Sequence, residues 1–122
     1  MCKHDRNLTD EQLKALAQNG GVAQVCLLDR YINEDYKNAS LTDAIEHIDH
    51  MVKAAGIDHV GIGSDFDGGG GIIGCESDND FIQITVKLIE KGYTEEDIAK
   101  IWGGNLMRVL DEVQATASVK TL

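Results

Sequence analysis

Two carboxylates, Asp65 and Asp67, stand two residues apart where the apolar run Val60-Gly61-Ile62 gives way to Gly68, Gly69, Gly70 and Gly71. A carboxylate at the end of a buried strand is costly unless it is solvated, paired or bound. In α/β proteins such strand ends are where active sites are built. In an extended segment Asp65 and Asp67 share a face and Phe66 points away. Two oxygen donors on one face suit a metal ion, a substrate ammonium or proton transfer. The plainer alternative is a pair of loop aspartates bonded to nearby backbone amides. Asp65, nearer the strand, is the stronger candidate. The glycine run lacks the GK[ST] ending of a phosphate loop and does not match GxGxxG after a strand. It reads as a flexible or tightly turned loop beside a site.

Other side chains carry weaker signals. His47 and His50 sit at i and i+3 of a helical pattern with Asp49 between them. A metal pair is one reading, and partly buried helix histidines with local partners is the commoner one. His59 begins its strand, at the end opposite the acids. His4 lies beside Asp5 and Arg6 and says little alone. The Arg6 guanidinium could grip a carboxylate through two parallel hydrogen bonds, and a surface arginine is the commoner reading. Tyr31 follows the first apolar run on the same kind of strand-to-loop segment that carries the acids, which fits a site residue and a packed loop tyrosine equally. Trp102 and Cys26 read as core or near-core residues.

The elements that must hold these residues alternate. Thr9 to Gln12 forms a capping box, and Leu13, Leu16 and Ala17 follow at helical spacing until Asn19-Gly20-Gly21. Val22 to Leu28 is an almost continuous apolar run, as in strands of parallel sheets buried on both faces. Asp29 to Ala39 reads as a loop. Ser40 to Asp43 caps a second helix with Ala44, Ile45, Ile48, Met51, Val52 and Ala55 as its apolar face, stopped by Gly56. The strand from His59 to Gly63 follows. A third helix is predicted over 80–90 with Ile82, Val86 and Ile89 inward. Thr94 to Asp97 caps a fourth, bearing Ile98 and Ile101. Gly103-Gly104-Asn105 interrupts it, and Leu106, Val109, Leu110 and Val113 resume its face. The tail from Ala115 is expected to fray. The order α-β-α-β-α-α makes the class α/β with parallel pairing. Two strands cannot bury one another on both faces, so residues 1–122 read as one partial domain of a larger repeating βα structure.

The totals fit this. At 122 residues the chain is one domain's length, and 43% hydrophobic content favours a globular fold. A formal charge of −10 argues against nucleic-acid binding and against anionic membranes. No apolar run reaches the length of a membrane span, and the start has no signal-peptide pattern. Cys2, Cys26 and Cys75 form no CxxC pair, so free thiols in a reducing, cytoplasmic compartment are expected.

Five segments in this order carry a family resemblance: Arg6-Asn7-Leu8-Thr9-Asp10-Glu11-Gln12, Gly20-Gly21-Val22, Val60 to Gly68, Gly92 to Ile98, and Gly103-Gly104-Asn105-Leu106-Met107-Arg108-Val109. From about Cys2 to about Val113 the chain resembles the C-terminal third of the membrane (renal-type) dipeptidase family of zinc metallopeptidases. The resemblance implies a (β/α)8 TIM-type barrel with two zinc ions at its C-terminal face, where a metal-bridging water attacks a dipeptide. It implies that Asp65 is the catalytic proton shuttle beside that water and the substrate amine. It implies that Arg6 holds the substrate carboxylate, with Tyr31 near the same group. Asp67 receives no role. The family's zinc ligands are an HxD pair, a bridging glutamate and two later histidines, and all of them precede the matched region. His4 is too close to Arg6 to be the last of these, and His47 and His50 fall on an outer helix. The expectation is therefore a C-terminal barrel fragment without zinc ligands, inactive alone. The alternatives are a non-enzymatic binding or oligomerisation module derived from the barrel, and one part of a split active peptidase. In each case unpaired strand edges favour a homo-oligomer.

Overall fold

A computed structural model describes residues 2–117. Helix α1 spans Asp10–Gln18, strand β1 Ala23–Val25, the short helix α2 Asp29–Ile32, and helix α3 Leu41–Ala55. Strand β2 spans Val60–Ile62, and helices α4, α5 and α6 span Phe81–Glu90, Glu95–Ala99 and Asn105–Ala117. The alternation expected from the sequence is present, with two additions. The segment read as a loop after β1 contains α2 and a single 3₁₀ turn at Tyr36–Asn38. Gly103 and Gly104 do not break the last helix, because a π-helical turn over Lys100–Gly104 carries α5 into α6. Helix α6 runs past the expected fraying point at Ala115 to Ala117, and residues 118–122 lie outside the described residues.

The three capping boxes read from the sequence all form. Thr9 pairs with Gln12, Ser40 with Asp43 and Thr94 with Asp97, each satisfying two backbone donors that a helix start leaves open.

The strands pair in parallel, with Ala23 opposite Val60, Gln24 opposite Gly61 and Val25 opposite Ile62. The regular ladder is shorter than the apolar run, but pairing continues beyond it. Gly63 N–H donates to Val25 O at 2.9 Å and Leu27 N–H to Ser64 O at 3.1 Å. Gly71 N–H then closes on Leu27 O at 2.8 Å. Val25, Leu27 and Val60 meet Leu13 of α1, Ala44, Ile48 and Met51 of α3, Ile84 and Leu88 of α4, and Ile101 in one buried cluster.

Two expected helix faces are corrected. In α4, Ile84 and Leu88 are buried, whereas Ile82 and Ile89 are about three-fifths exposed and Val86 lies on the same outer side. The helix has two apolar stripes, and periodicity could not choose between them. In the last helix the inward stripe continues from Ile98 and Ile101 through Asn105 and Arg108, while Leu106, Leu110 and Val113 are exposed. The anchors are polar. Asn105 Nδ2 donates to Ile57 O at 2.7 Å and to Val60 O at 2.9 Å. Arg108 donates to Gly20 O at 3.0 Å and to Asp58 O at 2.9 Å. These four carbonyls lie at the entrances to the two strands, so the Gly-Gly-Asn-x-x-Arg motif clamps the sheet from the end opposite Asp65. Asn105→Ala is expected to lower the unfolding free energy by about 2 kcal/mol, the cost of leaving buried carbonyls unpaired. Urea denaturation with an unchanged m-value checks it.

Candidate active site

A concavity of about 260 Å³ flanks β1 between α1 and α3, and its lining includes Arg6, Tyr31 and Asp65. These are the three residues singled out as catalytic or substrate-binding. Tyr31 stands on α2, whose N–H groups at Tyr31 and Ile32 donate to Leu28 O. Arg6 lies in the segment before α1, with its guanidinium carbon 5.8 Å from the Tyr31 ring centroid, in cation–π range. Asn7 fixes this arrangement, because its Nδ2 donates to Tyr31 O at 2.8 Å and to Cys2 O at 3.1 Å.

Asp65 sits three residues beyond β2 with φ 64° and ψ 28°, and it is the one non-glycine residue with positive φ among the described residues. The extended acid pair is corrected by this turn. Left-handed Asp65 ends the extended path, and Phe66–Gly68 form a 3₁₀ turn. Asp67 is exposed and does not line the concavity. Phe66 turns toward the core and stacks on Phe81 at 5.4 Å, which in turn meets Trp102 at 5.3 Å. Trp102 is a near-core residue, as read from the sequence, and its Nε1–H donates to Thr85 Oγ1 at 2.8 Å.

The sequence reads Cys26 as a core or near-core residue. It is half-buried and lines the concavity, where its thiol donates to Asp65 Oδ2 at 3.6 Å. Burial pushes the thiol pKa up, and the hydrogen bond and charge of Asp65 push it the same way. No motif surrounds Cys26; the only signal was its place at the end of an apolar run. His4 was also undervalued. Its ring lies 4.6 Å from that of Tyr31, and its Nδ1 accepts the Arg6 N–H at 3.1 Å.

His59 serves the frame, whereas His47 and His50, expected on an outer helix, line the concavity from α3. His59 bonds Gly21 O at 2.8 Å, at the far end of β2. His50 Nε2 meets Asp10 Oδ1 at 2.6 Å, joining α3 to α1. His47 is buried on α3. Its desolvation lowers its pKa, against opposing contributions from the Ile32 backbone and Asp43. Among the described residues no three His, Cys, Asp or Glu side chains converge closely enough to hold a metal ion. None of their helices is long and apolar enough to cross a membrane.

The sequence profile described as Membrane dipeptidase (Peptidase family M19) matches residues 1–122. The chain belongs to the membrane dipeptidase family. It is 36% identical over 119 residues to dipeptidase aclJ of Aspergillus oryzae, covering 96% of this chain and 28% of that protein. It is 40% identical over 114 residues to dipeptidase ataJ of Aspergillus terreus, covering 92% of this chain and 28% of that one. The probable dipeptidase PvdM from Pseudomonas aeruginosa superposes with a TM-score of 0.86 at 28% identity, over 93% of this chain and 42% of that one. A metallo peptidase from Rhodobacter sphaeroides, liganded with a phosphinate mimic of the dipeptide L-Ala-D-Ala, gives 0.81 at 28% identity, over 87% and 31%. The chain thus spans under a third of the length of the curated relatives and has the mixed, helix-rich α/β fold of membrane dipeptidase structures. The family implies zinc in the full-length enzyme.

The buried histidine gives this fold an acid sensitivity. The folded-state pKa of His47 is depressed, so below about pH 6.5 the unfolded chain binds a proton that the folded chain resists. Unfolding free energy is expected to fall as pH drops from 6.5 toward 5, and His47→Gln is expected to flatten that segment. Denaturation series at stepped pH measure both.

Proposed function

We propose that this chain is the C-terminal part of a (β/α)8 dipeptidase barrel, carrying the substrate-facing acid and the carboxylate-binding arm of the site. One observation carries the reading: Arg6, Tyr31 and Asp65, drawn from three separate segments, line a single concavity beside β1. Arg6 binds the terminal carboxylate of a dipeptide, with Tyr31 supporting the guanidinium from its ring face. Asp65 faces the substrate amine as a carboxylate and carries a proton during hydrolysis of the peptide bond. The two zinc ions of such an enzyme would supply the activated water. In this reading the family's zinc ligands precede the matched region, so the isolated chain is inactive. Three free thiols, Cys2, Cys26 and Cys75, support a reducing, cytoplasmic setting.

Hydrolysis of a dipeptide panel with added zinc, alongside metal analysis of the purified chain, tests this. The expected result is no stoichiometric zinc and no turnover. Bound zinc with turnover that Asp65→Ala abolishes would overturn the inactive-fragment reading and support an active enzyme.

The second reading, an oligomerising module, draws on a different observation. The described residues form a two-stranded sheet with an open edge on each strand, and Ile82, Ile89, Leu106, Met107 and Val113 are each about half exposed or more. Both features favour association. Size-exclusion chromatography with light scattering is expected to show a homodimer or larger, and a monodisperse monomer of 13.3 kDa would defeat it.

A further inference from the structure

The four glycines after Asp65 are glycine for two different reasons. Gly69 and Gly71 have φ of 99° and 130°, a region that strains any side chain. Gly68 and Gly70 have no positive φ, so their own backbone makes no such demand. What they share is closeness to Asp65. A Cβ on Gly68 would strike Asp65 Oδ1 and stand 2.8 Å from Asp65 Cγ. A Cβ on Gly70 would strike the Ser64 carbonyl oxygen and stand 2.7 Å from the carbonyl carbon and oxygen of Asp65. The amides at the same two positions close on Asp65 from below. Gly68 N–H donates to Asp65 O at 2.9 Å and Gly70 N–H at 2.7 Å. Across the carboxylate, the Cys26 thiol reaches Oδ2.

We propose that Gly68 and Gly70 are positioning residues that hold Asp65 in its left-handed conformation and leave its carboxylate room to face Cys26 and the concavity. The functional meaning rests on Asp65 being the proton-transfer group; the geometry does not. Alternate glycines close on one residue, Gly68 against its side chain and Gly70 against its backbone, and a loop that needed only flexibility would not place its amides and its missing side chains on the same residue. The two positions act differently. At Gly68 the obstacle is a carboxylate that can rotate away, so Gly68→Ala moves the acid and keeps the turn. At Gly70 the obstacle is backbone, so Gly70→Ala opens the turn itself.

The test uses the full chain and reads Cys26 rather than turnover. Alkylation by iodoacetamide, followed across pH on the Cys26 peptide by mass spectrometry, reports the thiolate fraction. The Asp65 carboxylate raises the thiol pKa, so Asp65→Asn is expected to speed alkylation at pH 8 by about twofold or more. Gly68→Ala is expected to match it with an unchanged circular dichroism spectrum. Gly103→Ala, at a position with open space around it, is the control expected to change nothing. A double-mutant cycle covers a loss of folding: Gly68→Ala should destabilise the natural chain and be harmless in an Asp65→Ala background. A Gly68→Ala profile equal to that of the natural chain, or an equal loss of stability in both backgrounds, overturns the proposal. These readouts need no turnover, so failure of the proton-transfer role of Asp65 leaves them unaffected.

Discussion

The parallel register of β1 on β2 is the constraint on which the rest depends. With Val25 opposite Ile62, the bonds beyond the ladder fall in sequence: Gly63 to Val25, Leu27 to Ser64, Gly71 to Leu27. That zipper carries the chain past the strand ends and folds the glycine run back over β1. It brings Asp65 from one strand against Cys26 from the other. In a parallel pair, alternate residues bond to the same neighbour. Val25 and Leu27 therefore turn their backbone toward β2. A slip of one residue would reverse every side chain on β1, exposing Val25 and Leu27 and removing Cys26 from the concavity.

Polar groups secure this register at both ends. At the entrances, Asn105 and Arg108 take the carbonyls of Ile57, Val60, Asp58 and Gly20. Buried carbonyls need such partners, and an asparagine with two acceptors at fixed separation positions a helix more sharply than a leucine would. At the exits, the Asp65 carbonyl collects two amides from the glycine turn. A left-handed aspartate is unfavourable on its own, and these bonds together with the Phe66–Phe81 stack over-determine it. Stability and site geometry are thus secured by polar contacts at opposite ends of the same sheet.

The surface carries the mark of family membership. A chain that spans 28% of the length of its curated relatives carries apolar residues on α4 and α6 that find no cover within the described residues. Two open strand edges add to this. Isolated hydrophobic side chains on a surface are ordinary, and recurrence along two helices with open edges is what sets this surface apart.

Much was legible in the sequence because it is local. The capping boxes at Thr9, Ser40 and Thr94 depend on residues three apart, and they form as read. The α/β class follows from apolar runs alternating with helical periodicity, and the motifs from Arg6 to Val109 identify the family without structural help. Local pattern failed where two answers were equally good locally. Helix α4 has two apolar stripes, and only packing against the sheet chose Ile84 and Leu88 over Ile82 and Ile89. The last helix turned Asn105 and Arg108 inward, which hydrophobicity could not suggest because the partners are carbonyls from distant segments. The sequence by itself determined that an acid, Asp65, stands at a strand exit. Only the tertiary structure decided that it stands against Cys26, apart from Asp67, in a concavity with Arg6 and Tyr31. Side-chain direction after a strand depends on the sign of one φ angle, and the bonds from Gly68 and Gly70 together with the Phe66–Phe81 stack hold that angle here.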